Sequence, residues 1–266
     1  METIMSNVSY TRFVYLDSNI YSHLAKNQPL QKPFISFLKK EDLCLAFGEG
    51  HLYELSKDSR LHQPVTNMLL SMPSAMIKTR SAIGDEEVQA HPSYRSDTLL
   101  DSGSPKFTPN ILMNLFNSQS TPKARQSQIN AASQMNAILT QLKSNFPPPY
   151  TRAKAVEYAT YMVIQILAQN YYDFCSSFRS NFQNLHTEVF QSMKLHALVI
   201  YQKYYLQGRN PNERSDFGDL WHLAAIPYCM LAIMEKDQCQ VLTQIKQHHD
   251  ILNSTDLENI DFIKGL

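Results

Sequence analysis

The sequence has little of what marks the common catalytic loops and structural metal sites. Its seven glycines form neither the glycine-rich loop that holds phosphates in nucleotide-binding proteins nor the G-x-S-x-G elbow of serine hydrolases. Its four cysteines include no C-x-x-C pair, so they indicate neither a disulfide framework nor a zinc site with thiolate ligands. Nucleotide-loop enzymes, serine hydrolases and zinc-thiolate proteins are therefore not indicated.

Long apolar runs and an excess of one charge are also missing. No apolar stretch approaches the roughly 18 residues that a membrane span needs, and the N-terminus lacks the pattern of an export signal. We therefore expect a cytoplasmic protein without a membrane partner. The 24 basic residues balance the 24 acidic ones, which argues against a large unspecific basic surface for nucleic acid. The length of 266 residues suffices for a sizeable core, and we expect a single domain over 1–266.

Short apolar runs that lead into polar or acidic residues alternate with helix-like segments. Phe13–Leu16, Leu43–Phe47 and Met230–Met234 have the length and composition of buried strands. A last strand is predicted around Asp250–Leu252, after a helix over Cys239–His248. Because alternating strands and helices are typical of parallel βαβ units, the sequence predicts an α/β fold with a central, mostly parallel sheet.

The middle of the chain gives a weaker pattern. Residues 61–148 are rich in Ser, Asn, Gln, Thr and Pro, and they are predicted to form a loop-rich insertion with short helices at Asn110–Phe116 and Ile129–Lys143. Residues 150–206 carry apolar stripes at helical spacing, which predict a helical hairpin that covers one face of the sheet. The fold is therefore expected to have an enlarged helical part.

Four carboxylates each lie at the end of a predicted strand or in the first turns of the helix after it: Asp17, Glu54, Asp219 and Asp237. Clustered carboxylates repel one another unless cations neutralise them, and their hard oxygens suit Mg²⁺ or Mn²⁺. Such ions activate water and stabilise displacement at a phosphodiester. Asp216 lies one helical turn before Asp219 and is a competitor or partner for it. For Asp17 taken alone, the alternative is a helix N-cap.

The order and context of these acids resemble the PIN-domain nuclease family. The matching segments are Tyr15-Leu16-Asp17-Ser18-Asn19, the helix with Glu54, Asp219-Leu220-Trp221-His222-Leu223-Ala224-Ala225-Ile226-Pro227-Tyr228, and the strand that ends at Glu235-Lys236-Asp237. The resemblance covers about residues 10–60 and 212–255. It implies a PIN-like three-layer fold and a metal-dependent endoribonuclease that hydrolyses single-stranded RNA.

The resemblance also assigns roles to individual residues. Asp17, Glu54, Asp219 and Asp237 would be the catalytic acids that hold one or two Mg²⁺ or Mn²⁺ ions, with Asp216 as a further candidate ligand. Ser18 and Asn19 would support the first acid and contact the substrate. In this mechanism the bound metal, and not a histidine, activates the attacking water.

Three further side chains are candidates for contact with the substrate. His222 lies one turn from Asp219, where it either assists a phosphate or is a structural residue. Arg152 and Lys154 lie at a segment end, where they either contact phosphates or are solvated helix ends. His51 is expected to be a structural residue.

Two other functions remain open at this point. A PIN-like protein whose acids bind no metal would be a catalytically inactive binding or scaffold protein. A nuclease of this type could also act on single-stranded or structured DNA. A regulatory or inhibitory protein partner and a homodimer are further open alternatives.

Overall fold

The computed structural model describes residues 12–104, 106–209, 220 and 222–266. A sheet of five parallel strands forms its centre, in the order β3-β2-β1-β4-β5. The strands are β1 (Phe13–Leu16), β2 (Cys44–Phe47), β3 (Ser74–Met76), β4 (Leu231–Met234) and β5 (Asp256–Asn259). The predicted α/β fold with a central parallel sheet is therefore confirmed.

β1 is the central strand, because it pairs with β2 on one side and with β4 on the other. Tyr15 lies beside Ala46 in one ladder and beside Ala232 in the other, so small residues flank a large one. Every residue of β1, β2 and β4 is buried. Such burial is expected when helices cover both faces of a parallel sheet, and it explains why these strands are continuous apolar runs in the sequence.

The α-helices surround this sheet, and none of those in the described residues is both long and apolar enough to cross a membrane. In chain order they are α1 (Ser18–Lys26), α2 (Gln28–Lys40), α3 (Glu49–Leu55), α4 (His62–Ser71), α5 (Arg80–Ala90), α6 (Pro109–Gln119), α7 (Pro122–Asn145), α8 (Lys154–Asn170), α9 (Tyr172–Ser176), α10 (Gln191–Ile200), α11 (Lys236–His248) and α12 (Ile260–Lys264).

Alternate residues of β1 point to two separate cores. Val14 and Leu16 pack with side chains of α1, α2, α4, α6 and α12 on one face of the sheet. Phe13 and Tyr15 pack with side chains of α8, α10 and α11 and of the 3-10 helix His222–Tyr228 on the other face. The period of two along the strand therefore produces layers of helix, sheet and helix.

Residues 61–148 are more regular than predicted. They contain α4 to α7 and also β3, so this segment is part of the sheet and not a loop-rich insertion. β3 is short and its three residues are only half-buried, which is why Ser74-Ala75-Met76 gives no strand signal in the sequence. Pro109 and Pro122 begin α6 and α7, positions where the missing N–H of proline is tolerated.

The last strand also lies elsewhere than predicted. β5 spans Asp256–Asn259, whereas the apolar pair Ile251 and Leu252 suggested a strand around Asp250–Leu252. Leu252 has a positive φ of 62°, a left-handed conformation that regular strands do not contain. The pair is buried in the core that contains α11, so its apolar character reflects a buried turn.

The predicted helical hairpin within 150–206 corresponds to α8 and α10, which pack against each other. The first helix ends at Asn170, because Tyr171 has φ −134° and ψ 52° and separates α8 from α9. After α10 the chain continues in π-helical turns over Tyr201–Leu206. The hairpin lies on the sheet face that Phe13 and Tyr15 share.

Candidate active site

The strand order changes direction at β1. β2 and β3 lie on one side of it, and the chain then returns to add β4 and β5 on the other side. In open α/β sheets such a switch point leaves a crevice outside the carboxyl ends of the strands, where ligands bind. Asp17 follows β1 and Glu235 follows β4, and the Asp17 N–H donates to the carbonyl oxygen of Ile233 at 2.9 Å. The two acids therefore leave neighbouring strands at the same edge.

Asn19 connects the two sides of this crevice. Its Nδ2 donates to Oε1 of Glu235 at 2.8 Å, which ties the first turn of α1 to the start of α11. The sequence predicted that Asn19 supports Asp17, and it did not select Glu235 as a site residue. The signal for Glu235 is its position, because it follows its strand directly, as Asp17 does.

Asp17 lies in a small pocket at the end of β1, together with Tyr15, His222, Met234 and Gln238. It occupies the N-cap position of α1, but its side chain makes no capping hydrogen bond, so helix capping does not explain this acid. Oε1 of Gln238 is buried and has no hydrogen-bond partner among the described atoms. A buried carbonyl oxygen without a donor is unfavourable, and a cation or a bound donor would satisfy it.

His222 contacts the same pocket as a neutral imidazole. Its Nε2 lies 3.2 Å from Oγ of Ser18, in a buried position. Burial lowers the pKa of His222 well below its ordinary value, and the neighbouring His51 and Lys57 lower it further. His222 therefore forms a hydrogen bond next to Asp17 without adding a positive charge.

His51 has the structural role expected for it. Its Nδ1 accepts a hydrogen bond from the N–H of Gly48 at 3.0 Å, and its Nε2 donates to the carbonyl oxygen of Leu16 at 2.7 Å. Burial lowers the pKa of His51 to about 4. Because both ring nitrogens are occupied by backbone groups, His51 ties the end of β1 to the loop after β2.

Glu49 is a further acid at this edge of the sheet, and it lies behind β2. It begins α3 two residues after β2, and its Oε1 accepts a hydrogen bond from the backbone N–H of Arg80 at 2.9 Å. Glu49 and Arg80 line a pocket with Tyr15 and His222, two residues that also line the pocket of Asp17. Glu49 was not among the site residues predicted from the sequence, although it lies just behind a predicted strand.

Two of the predicted acids form ion pairs instead. Oε1 of Glu54, in the last turn of α3, lies 2.8 Å from Nζ of Lys57, which follows this helix. Asp237 forms two hydrogen bonds with the guanidinium of Arg209, at 2.8 and 2.9 Å. Hydrogen bonding to Arg209 lowers the pKa of Asp237, burial opposes this shift, and the charges of Arg209 and Lys203 add to it. Basic side chains already neutralise both carboxylates.

Arg152 is not brought to the crevice. Its Nη1 lies 3.0 Å from Nε2 of His248, the last residue of α11. The crevice lies at the other end of α11, beyond β4, and a helix of 13 residues is about 20 Å long. Lys154, two residues further along the chain, begins α8. The alternative of solvated helix ends fits both side chains better than contact with a phosphate at the cleaved bond.

Asp216 and Asp219 lie outside the described residues. Within the ranges that are described, no group of three or more His, Cys, Asp or Glu side chains is arranged to hold a metal ion. The four-carboxylate Mg²⁺ or Mn²⁺ site therefore stays a prediction.

No known protein family, curated protein or solved structure matches this chain. The chemistry of the site is therefore inferred from the side chains at the carboxyl edge of the sheet.

The oxygen atoms at this edge suit a hard divalent cation. Asp17 and Gln238 contribute a carboxylate and an unpartnered carbonyl oxygen to one pocket, and Glu235 lies across Asn19 from them. Mg²⁺ and Mn²⁺ prefer oxygen ligands of these kinds and usually retain several waters. The described donors therefore have the chemistry that such an ion prefers, and further ligands would have to complete the site.

Proposed function

We propose that this chain is a divalent-metal-dependent, PIN-like endoribonuclease that hydrolyses single-stranded RNA in the cytoplasm. The observation that carries the proposal is the position of Asp17. It follows the central parallel strand at the switch point of the sheet, it does not cap its helix, and it shares a pocket with the unpartnered oxygen of Gln238. An acid in this place is suited to hold a metal that a phosphodiester can reach.

The residues around Asp17 have separate parts in this proposal. Asp17 and Gln238 would hold Mg²⁺ or Mn²⁺, with Asp219 or Asp216 as the further carboxylate expected from the sequence. When bound, the ion would activate water and stabilise the charge that develops on the phosphate. Asn19 holds Glu235 in place, and neutral His222 bonds Ser18, so neither histidine nor serine removes the proton from water.

One observation favours the alternative of a catalytically inactive binding or scaffold protein. The carboxylates of Glu54 and Asp237, two of the four acids expected to hold the metal, are paired with Lys57 and Arg209. An acid that already has a cationic partner gains less from a metal ion than an unpaired one. A protein of this kind would bind RNA without cleaving it.

The experiment offers single-stranded RNA, single-stranded DNA and structured DNA to the wild type, Asp17→Asn and Asp256→Asn, with and without Mg²⁺ or Mn²⁺. Asp256 begins β5, at the amino ends of the strands and away from the crevice at their carboxyl ends. Its substitution is therefore the matched control. We expect metal-dependent cleavage by the wild type and the control and none by Asp17→Asn. Cleavage by Asp17→Asn at the wild-type rate would contradict the proposed site. Cleavage of DNA alone would assign a DNA nuclease, and absence of any cleavage would favour the scaffold.

A further inference from the structure

A larger cavity lies beside the candidate active site, where side chains of α5, α8 and α10 meet. Its volume of about 470 Å³ is within the range of pockets that hold small ligands. Unlike the crevice at β1, it has no carboxylate from a strand end. Its polar side chains include Arg80, Ser81, Asp85, Asn170, Tyr171 and His196.

The cavity adjoins the candidate active site. It shares Arg80 and Ala224 with the pocket of Glu49, and that pocket in turn adjoins the pocket of Asp17. Three neighbouring depressions therefore form a row from Asp17 to Tyr171. A polymer that crosses the crevice at Asp17 could place its next unit in the cavity.

Arg80 is the cation at the junction between the cavity and the crevice. Its backbone N–H is bonded to Glu49, but its guanidinium takes part in no hydrogen bond or ion pair with the residues that the structure describes. The side chain is exposed to solvent. Desolvation by the surrounding protein nevertheless lowers the pKa of Arg80, and the charges of Glu49 and Tyr171 oppose this shift. A guanidinium in such a concave site is well suited to a phosphate.

Tyr171 provides an aromatic ring at the other side of the cavity. Burial raises the pKa of Tyr171, and a side-chain hydrogen bond between its hydroxyl and Asp85 raises it further. A Cβ atom at Gly84 would lie 2.7 Å from the hydroxyl oxygen, so a glycine at this position permits the close approach. The ring is therefore held in one orientation before any ligand binds, which reduces the entropy lost on stacking.

We propose that this cavity binds one nucleotide of the RNA next to the cleaved bond, with Arg80 on a phosphate and Tyr171 against the base. The assignment rests on the proposed nuclease function. A nucleotide has an anion, a flat aromatic ring and a hydrogen-bonding edge, and the cavity offers a cation, an aromatic ring and polar groups such as Asn170 and Asp85. Asp85 would accept from a base amino group or a 2′-hydroxyl.

The first test measures binding without cleavage, by fluorescence anisotropy of a labelled single-stranded hexaribonucleotide in the presence of EDTA. Arg80→Gln is expected to weaken binding by about 10-fold or more, the usual effect of losing a charge-assisted hydrogen bond. It should also lower the slope of log affinity against log salt by about one. Arg60→Gln is the matched control, because Arg60 is exposed and paired with Asp58 on the surface, and it should bind like the wild type.

The second test asks whether the base contributes, with AMP and inorganic phosphate as competitors of the labelled RNA. We expect AMP to compete at a lower concentration than phosphate. Tyr171→Leu should remove this advantage, whereas Tyr171→Phe keeps the ring and should retain it. The melting temperature of each variant separates a loss of binding from a loss of folding, and Tyr171→Phe shows whether the site tolerates substitution.

The outcomes separate this inference from the nuclease function. Wild-type affinity in Arg80→Gln, or equal competition by AMP and phosphate, overturns the nucleotide site even when RNA is cleaved. Binding that depends on Arg80 without cleavage in Mg²⁺ or Mn²⁺ supports the nucleotide site and contradicts the nuclease. In the anisotropy assay, tighter binding of a labelled DNA hexamer of the same sequence than of the RNA hexamer overturns the assignment to RNA.

Discussion

The side-chain amide of Asn19 donates a hydrogen bond to the carboxylate of Glu235 across the ends of β1 and β4. Asn19 lies in the first turn of α1 and Glu235 is the N-cap residue of α11, so the bond links the starts of two helices that lie on opposite faces of the sheet. Asp237, two residues further along, is held by Arg209 instead. Glu235 is therefore the better candidate than Asp237 for an acid that orients metal-bound groups.

We expect Glu235→Gln to weaken binding of Mn²⁺ by about 10-fold or more, as losses of supporting groups around a metal commonly do. Asp237→Asn should leave the affinity for Mn²⁺ within about 2-fold of the wild type, because its carboxylate is engaged by Arg209. Titration with Mn²⁺ followed by electron paramagnetic resonance measures both. A larger loss in Asp237→Asn than in Glu235→Gln would restore the assignment made from the sequence.

Gly50→Ala should destabilise the protein and reduce cleavage. Alanine in a helix is intrinsically better than glycine by about 1 kcal/mol, but a Cβ atom at Gly50 would lie 2.6 Å from Nδ1 of His222. The clash is expected to cost about 1–3 kcal/mol and to move His222 away from Ser18. Thermal unfolding checks the prediction, with Gly103→Ala as control, since its nearest neighbour lies at 3.5 Å. A more stable Gly50→Ala would show that His222 is free to move.

The stability of the protein should fall in mild acid because of His51. Burial lowers the pKa of His51 from 6.5 to about 4, so below pH 6.5 the unfolded chain takes up a proton that the native protein does not. Above pH 6.5 this histidine does not lower the free energy of unfolding. As the pH falls towards 4, it lowers the free energy of unfolding by up to about 3 kcal/mol. Buried His196 and His222 act in the same direction.

Urea unfolding of the wild type and of His51→Gln between about pH 4.5 and 7.5 measures this effect. The variant should be less stable at neutral pH and should depend less on pH. His186→Gln, which changes an exposed histidine, is the control. Equal pH slopes for the wild type and His51→Gln would contradict the assignment.

Glu87 should be important for stability although it lies outside the crevice. Its carboxylate is fully buried and accepts hydrogen bonds from the N–H and the hydroxyl of Ser192, each at 2.6 Å, and from the hydroxyl of Tyr228. Glu87→Ala leaves these donors unpaired and should cost about 3 kcal/mol, whereas Tyr228→Phe removes one donor and should cost about 1–2 kcal/mol. Chemical denaturation measures both. If Glu87→Ala lowers the free energy of unfolding by less than Tyr228→Phe does, water replaces the carboxylate in the variant.

The central strands could be predicted from the sequence because they are buried on both faces. β1, β2 and β4 are unbroken apolar runs, and each leads into a polar residue or turn. The edge strands could not be predicted in the same way. β3 is half-buried, and β5 has the polar sequence Asp256-Leu257-Glu258-Asn259, so neither has the composition of a buried strand.

The sequence predicts that the site lies just after the strands, but it does not determine which of the acids there belong to it. Asp17 follows its strand directly, and its place in the crevice follows from the parallel sheet. The choice of Glu54 over Glu49 and of Asp237 over Glu235 depends on which way a helix faces and on partners such as Lys57 and Arg209. The cavity at Arg80 and Tyr171 is formed by helices that are distant in the sequence, so no local pattern indicates it.

The pairing of β1 with β4 brings together residues as distant in the sequence as Val14 and Leu231. During synthesis, β1 therefore has no partner on that side until β4 (Leu231–Met234) has been made, and an unpaired strand edge invites association with other chains. The crevice is also incomplete until then, because Glu235 and Gln238 belong to the same late segment. Under the nuclease function proposed above, a nascent chain would be unable to cut RNA until this segment has been added.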